Sequence, residues 1–160
     1  MSDYLKNLEI AMNNAKRLSN KILLEGKLSL PLTSKKIKVI NPSTGEEIGE
    51  APQCDKNDVE VAVSSAETAF HKWKKIPARE RGKMMTAAAR KLEERKEEIE
   101  TLLALDTGNA LRTQAKPETA ASIELTHMFA GLAGEIKGEN YPSNIPNTIH
   151  YTTKDPIGVV

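Results

Sequence analysis

The chain has 160 residues, enough for one domain with a core of its own. Lysine and arginine number 23 against 22 aspartates and glutamates, a net charge of +1 that gives no electrostatic case for nucleic acid or an anionic membrane. Aromatic residues make up only 4% and hydrophobic residues 39%, so the sequence reads as soluble and globular, without a base-stacking platform. A single cysteine, Cys54, cannot form an internal disulfide, and nothing points to an oxidising compartment. No apolar run reaches transmembrane length, and the N-terminus lacks the apolar stretch of a secretory signal. By default, the expected location is cytoplasmic.

Residues 4–18 repeat Leu5, Leu8, Ala11, Met12, Ala15 and Leu18 at three- and four-residue spacings, which predicts an amphipathic helix. Residues 21–28 read as two short strands around the Glu25-Gly26 turn. Residues 29–35 are loop-like around Pro31. Lys36 to Ile40 alternates polar and apolar, as a half-buried strand should. Asn41-Pro42-Ser43-Thr44-Gly45 is dense turn chemistry, and Glu46 to Ala51 returns as a second strand.

Helices follow. Val59, Ala62, Val63, Ala66, Ala69, Phe70 and Trp73 share one helical face. Asp55 and Asn57 are available as N-caps, and Pro77 closes the helix. A second pattern runs from Arg79 through Met85, Ala88, Leu92, Ile99, Leu102 and Leu103, with a break expected near Arg95 and a stop at Gly108. A third helix carries Ala121, Leu125, Met128, Phe129 and Leu132, with Pro117 in its first turn.

From Gly138 the texture changes to a loop rich in asparagine and proline. Thr148 to Thr153 is dense in β-branched residues and predicts a strand. Asp155-Pro156 interrupts it. Ile157-Gly158-Val159-Val160 then reads as the start of a buried strand, which needs neighbours that no later segment supplies.

The order of these segments resembles the N-terminal portion of the aldehyde dehydrogenases. Ile40-Asn41-Pro42-Ser43-Thr44-Gly45-Glu46 is similar to an early turn of that family. The helix Asp58-Val59 to Trp73 and then Ala78-Arg79-Glu80-Arg81 follow in the family's order. Leu105-Asp106-Thr107-Gly108-Asn109 looks like its acidic-x-Gly-Lys segment, with Asn109 in place of a common lysine. Phe129-Ala130-Gly131 and Gly138-Glu139 match the next helix. Asp155 to Val160 matches the Pro-x-Gly-Val-Val strand that begins the dinucleotide-binding sheet. The resemblance covers residues 21 to 160, and residues 1–20 match nothing.

The resemblance implies an α/β fold, with this chain the leading piece of a doubly wound dinucleotide-binding domain. Its expected parts are an N-terminal helix at 1–20, cofactor-domain residues at 21–138, an oligomerisation arm at 139–154 and the first sheet strand at 155–160. It implies an enzyme that oxidises an aldehyde to a carboxylic acid or acyl thioester with NAD or NADP. In that family a cysteine thiolate attacks the aldehyde, hydride passes to the cofactor, and a glutamate activates water. These steps need a nucleophile, an oxyanion donor and a base, and in the family all three lie beyond this chain, so the resemblance assigns no catalytic, cofactor-binding or metal-binding residue. The chain alone is expected to be inactive and to bind no cofactor. It contains no Gly-x-Gly-x-x-Gly and no P-loop.

Several residues invite sharper readings. Cys54 precedes a helix that would lower a thiol pKa, but the plainer reading is a partly buried structural thiol. His71, His127 and His150 lie on three different elements and form no ligand pattern. The resemblance permits a monovalent-cation site using carbonyls near Val39 and Ile40 with Asp106. The plainer reading, which we favour, is that Asp106 ends its helix and bonds local backbone. Lys72, Lys74, Lys75, Arg79, Arg81 and Lys83 form a basic stretch, and Glu93, Glu94, Glu97, Glu98 and Glu100 an acidic one. Solvated helix faces explain both better than a nucleic-acid surface. The segment Thr148 to Thr153 is either a pairing edge for a homo-oligomer or an ordinary edge strand. The alternative to the enzyme is a non-catalytic interaction module, or a remnant that pairs with other dehydrogenase subunits.

Overall fold

The computed structural model describes residues 2–160. Helix α1 (Ser2–Leu18) buries Ala11 completely and ends on Lys16 and Arg17, whose charges suit the negative end of the helix dipole. Strands β1 (Ile22–Leu24) and β2 (Lys27–Ser29) pair antiparallel. Their link is Glu25 and Gly26, both at positive φ (50° and 74°), the combination a two-residue hairpin needs to match strand twist.

Strands β3 (Lys36–Ile40) and β4 (Glu47–Pro52) form a second hairpin, with a register shift between Val39 and Ile40. Asn41 organises its turn. Its side-chain oxygen accepts the Ser43 N–H at 2.9 Å, and its backbone N–H donates to the Glu46 carbonyl at 2.8 Å. Ile48 is buried, whereas Ile37 and Ile40 stay exposed, so one face of this hairpin lacks a cover.

Helix α2 (Lys56–Trp73) opens on Asp55, whose carboxylate accepts the N–H groups of Asn57 and Asp58. The Asp58 carboxylate in turn accepts the Asp55 N–H, closing a capping box. Asn57 is therefore inside the first turn and is not a cap. The helix stops at Trp73, and Pro77 does not terminate it. Pro77 instead opens helix α3 (Ala78–Glu94), where its fixed φ of −54° suits a helix entry. Arg95, at φ −112° and ψ 16°, breaks the long apolar pattern and separates α3 from helix α4 (Lys96–Thr107). Gly108 ends α4 in the left-handed conformation at φ 73°. A single π-helical turn (Leu111–Ala115) leads into helix α5 (Lys116–Leu132), with Pro117 in its first turn.

Helices α3 and α5 run antiparallel, since Gly82 lies against Ala130 and Ala133 while Glu93 reaches His127. Helix α1 lies across α4, tied by Asn7 Nδ2 donating to Glu97 at 3.0 Å, and reaches β4 through Ser19. The apolar residues buried among these layers are Ala11, Ile48, Ala89, Ala115, Ile123 and Ala130. Four of these six are alanines, so the layers meet through small side chains. No large side chain among the described residues is fully buried.

Two expectations change in the last segment. Thr148 to Thr153 is not a full strand. Only β6 (His150–Tyr151) forms ladder bonds, with β5 (Asn140–Tyr141). Ile157 to Val160 is not a buried strand either. Ile157 is 92% exposed and Val160 fully so, and the segment joins no ladder among the described residues. An apolar strand becomes regular only when neighbours satisfy its backbone, and the three described sheets are separate antiparallel pairs.

Candidate functional site

A hollow of about 370 Å3 lies between α1, the β3–β4 hairpin and α4. Leu18, Val39, Ile48, Ile99 and Leu102 give it apolar walls, and Asp106 stands at its edge. Local chemistry fixes the walls. Ser19 Oγ donates to the Glu50 carbonyl at 3.0 Å and accepts the Glu50 N–H at 2.8 Å, pinning the end of α1 to β4. The Glu50 carboxylate is itself held by Lys36 at 2.7 Å. Val39 and Asp106, distant in sequence, thus face one hollow. Asp106 is exposed, and its carboxylate makes no hydrogen bond among the described residues, so the expected bond to local backbone is not formed.

Two sequence motifs also meet. Pro42 and Ser43 of the hairpin turn pack on Gly108 at the end of α4, where an added Cβ would lie 3.2 Å from Pro42 Cβ. Ser43 Oγ donates to the Gly108 carbonyl at 3.4 Å across 65 positions of sequence. Sequence spacing alone carries no signal of this contact.

The titratable candidates do not converge. Cys54, which precedes the Asp55 cap between β4 and α2, is exposed, not partly buried. His127 Nε2 lies 3.2 Å from Glu93 Oε1, His71 stands beside the Phe70 ring, and His150 lies in β6. No group of three His, Cys, Asp or Glu side chains able to hold a metal ion occurs among the described residues.

The passage into α2 differs from a glycine-rich phosphate-binding turn. The strand-to-helix passage from β4 to α2, Pro52 to Asp55, contains no glycine, and the first N–H groups of α2 are taken up by the Asp55 carboxylate. A pyrophosphate needs such N–H groups free at a glycine-rich turn. The described strands form hairpins only, with no parallel pair.

What the chain does present is uncovered apolar surface. Leu125, Met128, Phe129 and Leu132 recur at helical spacing along α5, and each is between 47% and 55% exposed. Val59 and Val63 do the same on α2. A stripe at i, i+3, i+4 and i+7 is the pattern of a helix face made to be buried. The sequence pattern announced that stripe. Only the structure shows that nothing in the described residues covers it.

Small-residue helix packing, three separate hairpins and a bare apolar face define a layered α/β piece. The aldehyde dehydrogenase family model matches residues 31–160, and the chain belongs to that family. It is 34% identical over 145 residues to the aldehyde dehydrogenase tropH of Talaromyces stipitatus, covering 89% of this chain and 28% of that protein. It is 33% identical over 158 residues to human cytosolic 10-formyltetrahydrofolate dehydrogenase, covering 95% of this chain and 18% of that protein. Among solved structures, betaine aldehyde dehydrogenase of Staphylococcus aureus in complex with NAD+ superposes with a TM-score of 0.80. That match has 31% identity and covers 89% of this chain and 29% of that one. HpcC from Thermus thermophilus, at 21% identity and a TM-score of 0.81, shares the fold over 88% of this chain and 27% of that one. The chain thus spans less than a third of the length of these relatives. No described helix is long and apolar enough to cross a membrane.

Proposed function

We propose that this chain is the N-terminal part of an NAD(P)-dependent aldehyde dehydrogenase that oxidises an aldehyde to a carboxylic acid or acyl thioester. The observation that carries the reading is the exposed stripe of Leu125, Met128, Phe129 and Leu132 on a chain of this family that spans under a third of its relatives. The role of the chain is scaffold. Residues 21–138 brace the cofactor domain, residues 139–154 form an arm that pairs with another subunit of a homo-oligomer, and residues 155–160, exposed and in no ladder in this chain by itself, become the first strand of the dinucleotide sheet once neighbouring strands are present. The NAD+-bound Staphylococcus aureus relative supports a nicotinamide cofactor in the whole enzyme. The chain by itself contributes no reacting group.

The test is a cofactor-reduction assay with a panel of aldehydes, on this chain alone and on the product of its reading frame extended past Val160. Activity in the extended product alone is expected. Aldehyde-dependent cofactor reduction by the chain alone overturns the reading. The same bare stripe gives a second reading, a non-catalytic module that pairs with other dehydrogenase subunits. Co-purification with a dehydrogenase encoded by a separate reading frame, together with a stop after Val160, would favour it.

A further inference from the structure

The groove between α3 and α5 carries three basic side chains of α3. Arg79, Lys83 and Arg90 lie along one side of α3 and line it, and His127 of α5 stands opposite. Lys83 is paired with Glu80 at 2.7 Å. Arg79 and Arg90 form no ion pair or hydrogen bond with any described residue. One carboxylate, Glu135, lines the groove, and Lys137 holds it at 2.9 Å. Glu93 faces His127 from α3. The floor is Ala130, Gly131 and Gly134, small residues that leave about 530 Å3 of space and permit close approach of another backbone.

We infer that this groove binds an extended acidic peptide segment of a partner protein. The two unpaired arginines are eleven positions apart, about 16 Å along the helix at 1.5 Å per residue. A compact anion held at one end of that span lies beyond the screening length of roughly 8 Å at physiological salt from the other end. An extended peptide covers the distance in about five residues at roughly 3.3 Å each, placing carboxylates at both ends. The guanidinium fork suits carboxylates, which it binds with two parallel hydrogen bonds. A polynucleotide fits less well, because no aromatic side chain other than His127 lines the groove to stack a base. The groove also avoids the apolar stripe. At 100° per residue, Leu125, Phe129 and Leu132 point about 150° away from His127 and Gly131 around α5, and only Met128 of the stripe lies between the two faces.

The test is fluorescence anisotropy of a labelled peptide of alternating glutamate and glycine, spanning the groove, against the full 160-residue chain near physiological salt. Saturable binding is expected, with at least tenfold loss in the Arg79→Glu/Arg90→Glu double variant. Lys72→Glu/Lys75→Glu makes the same charge change outside the groove and is expected to stay within twofold. Circular dichroism confirms that each variant keeps its helices. Equal binding of the glutamine version, equal loss in the Lys72/Lys75 variant, or no binding at millimolar protein overturns the inference. Tighter binding of a single-stranded oligonucleotide of the same charge overturns it in favour of nucleic acid.

Discussion

The carboxylate of Asp58 accepts the backbone N–H of Leu32 at 2.6 Å, joining the first turn of α2 to a loop 26 positions earlier. The same carboxylate accepts the N–H groups of Thr33 and Asp55. Only 2% of Asp58 is exposed, so three backbone donors depend on this one buried group.

Asp58 should make the chain acid-sensitive. Burial pushes its carboxyl up, but the donors from Leu32, Asp55 and Thr33 outweigh that and hold it below the ordinary value of 3.8. A folded-state value below the unfolded one stabilises above the ordinary aspartate range and is lost as pH falls through the folded value. Thermal unfolding from about pH 6 to about pH 2 should show a falling Tm, with a shallower fall in Asp58→Asn. An unchanged slope in that variant would exclude the role.

Asp55→Ala removes the cap but leaves Asp58 in place. A lost N-cap costs about 1 kcal/mol, and urea unfolding measures it. Asn57→Ala should change nothing comparable, because Asn57 is not the cap.

Gly82→Ala attacks the α3–α5 contact. The added Cβ would lie 2.7 Å from the Ala130 carbonyl and 3.2 Å from Ala133 Cβ, against backbone that cannot swing aside. The expected loss is roughly 1–3 kcal/mol. A denaturation midpoint equal to the wild type would show that the helices separate freely.

Gly108→Ala combines positive φ with crowding against Pro42 and Ser43. The left-handed conformation alone costs about 1–2 kcal/mol for a residue with a Cβ. Gly131→Ala, in open space on α5, is the matched control and should be neutral or slightly stabilising.

Phe129, 55% exposed on α5, reports on the uncovered face. Phe129→Ser should reduce binding of a hydrophobic dye while shifting stability by less than about 0.5 kcal/mol, since little packing is lost. A loss of several kcal/mol would show that the face is already covered.

Much of the local structure was legible in the sequence. Helical periodicity located α1 to α5, Glu25-Gly26 and Asn41 to Gly45 located two turns, and the pattern breaks at Arg95 and Gly108 as expected. These features depend on neighbours within a few residues, which sequence spacing records directly. The family motifs were legible for the same reason, each being a short run in a fixed order. Pro77 was not, because a proline that cannot continue one helix is equally suited to begin the next.

Long-range relations were decided in three dimensions. No spacing rule brings Ser43 to Gly108, Leu32 to Asp58, or Val39 and Asp106 to one hollow. Exposure was equally hidden. The same apolar periodicity marks a covered helix and a bare one, and the same run at Ile157 to Val160 is a strand only where neighbours take up its backbone bonds. The sequence by itself determined which segments are helices and turns, because local dihedral and capping preferences reside in the residues themselves. Tertiary structure alone decided which faces stay open, because burial belongs to pairs of elements and not to either one.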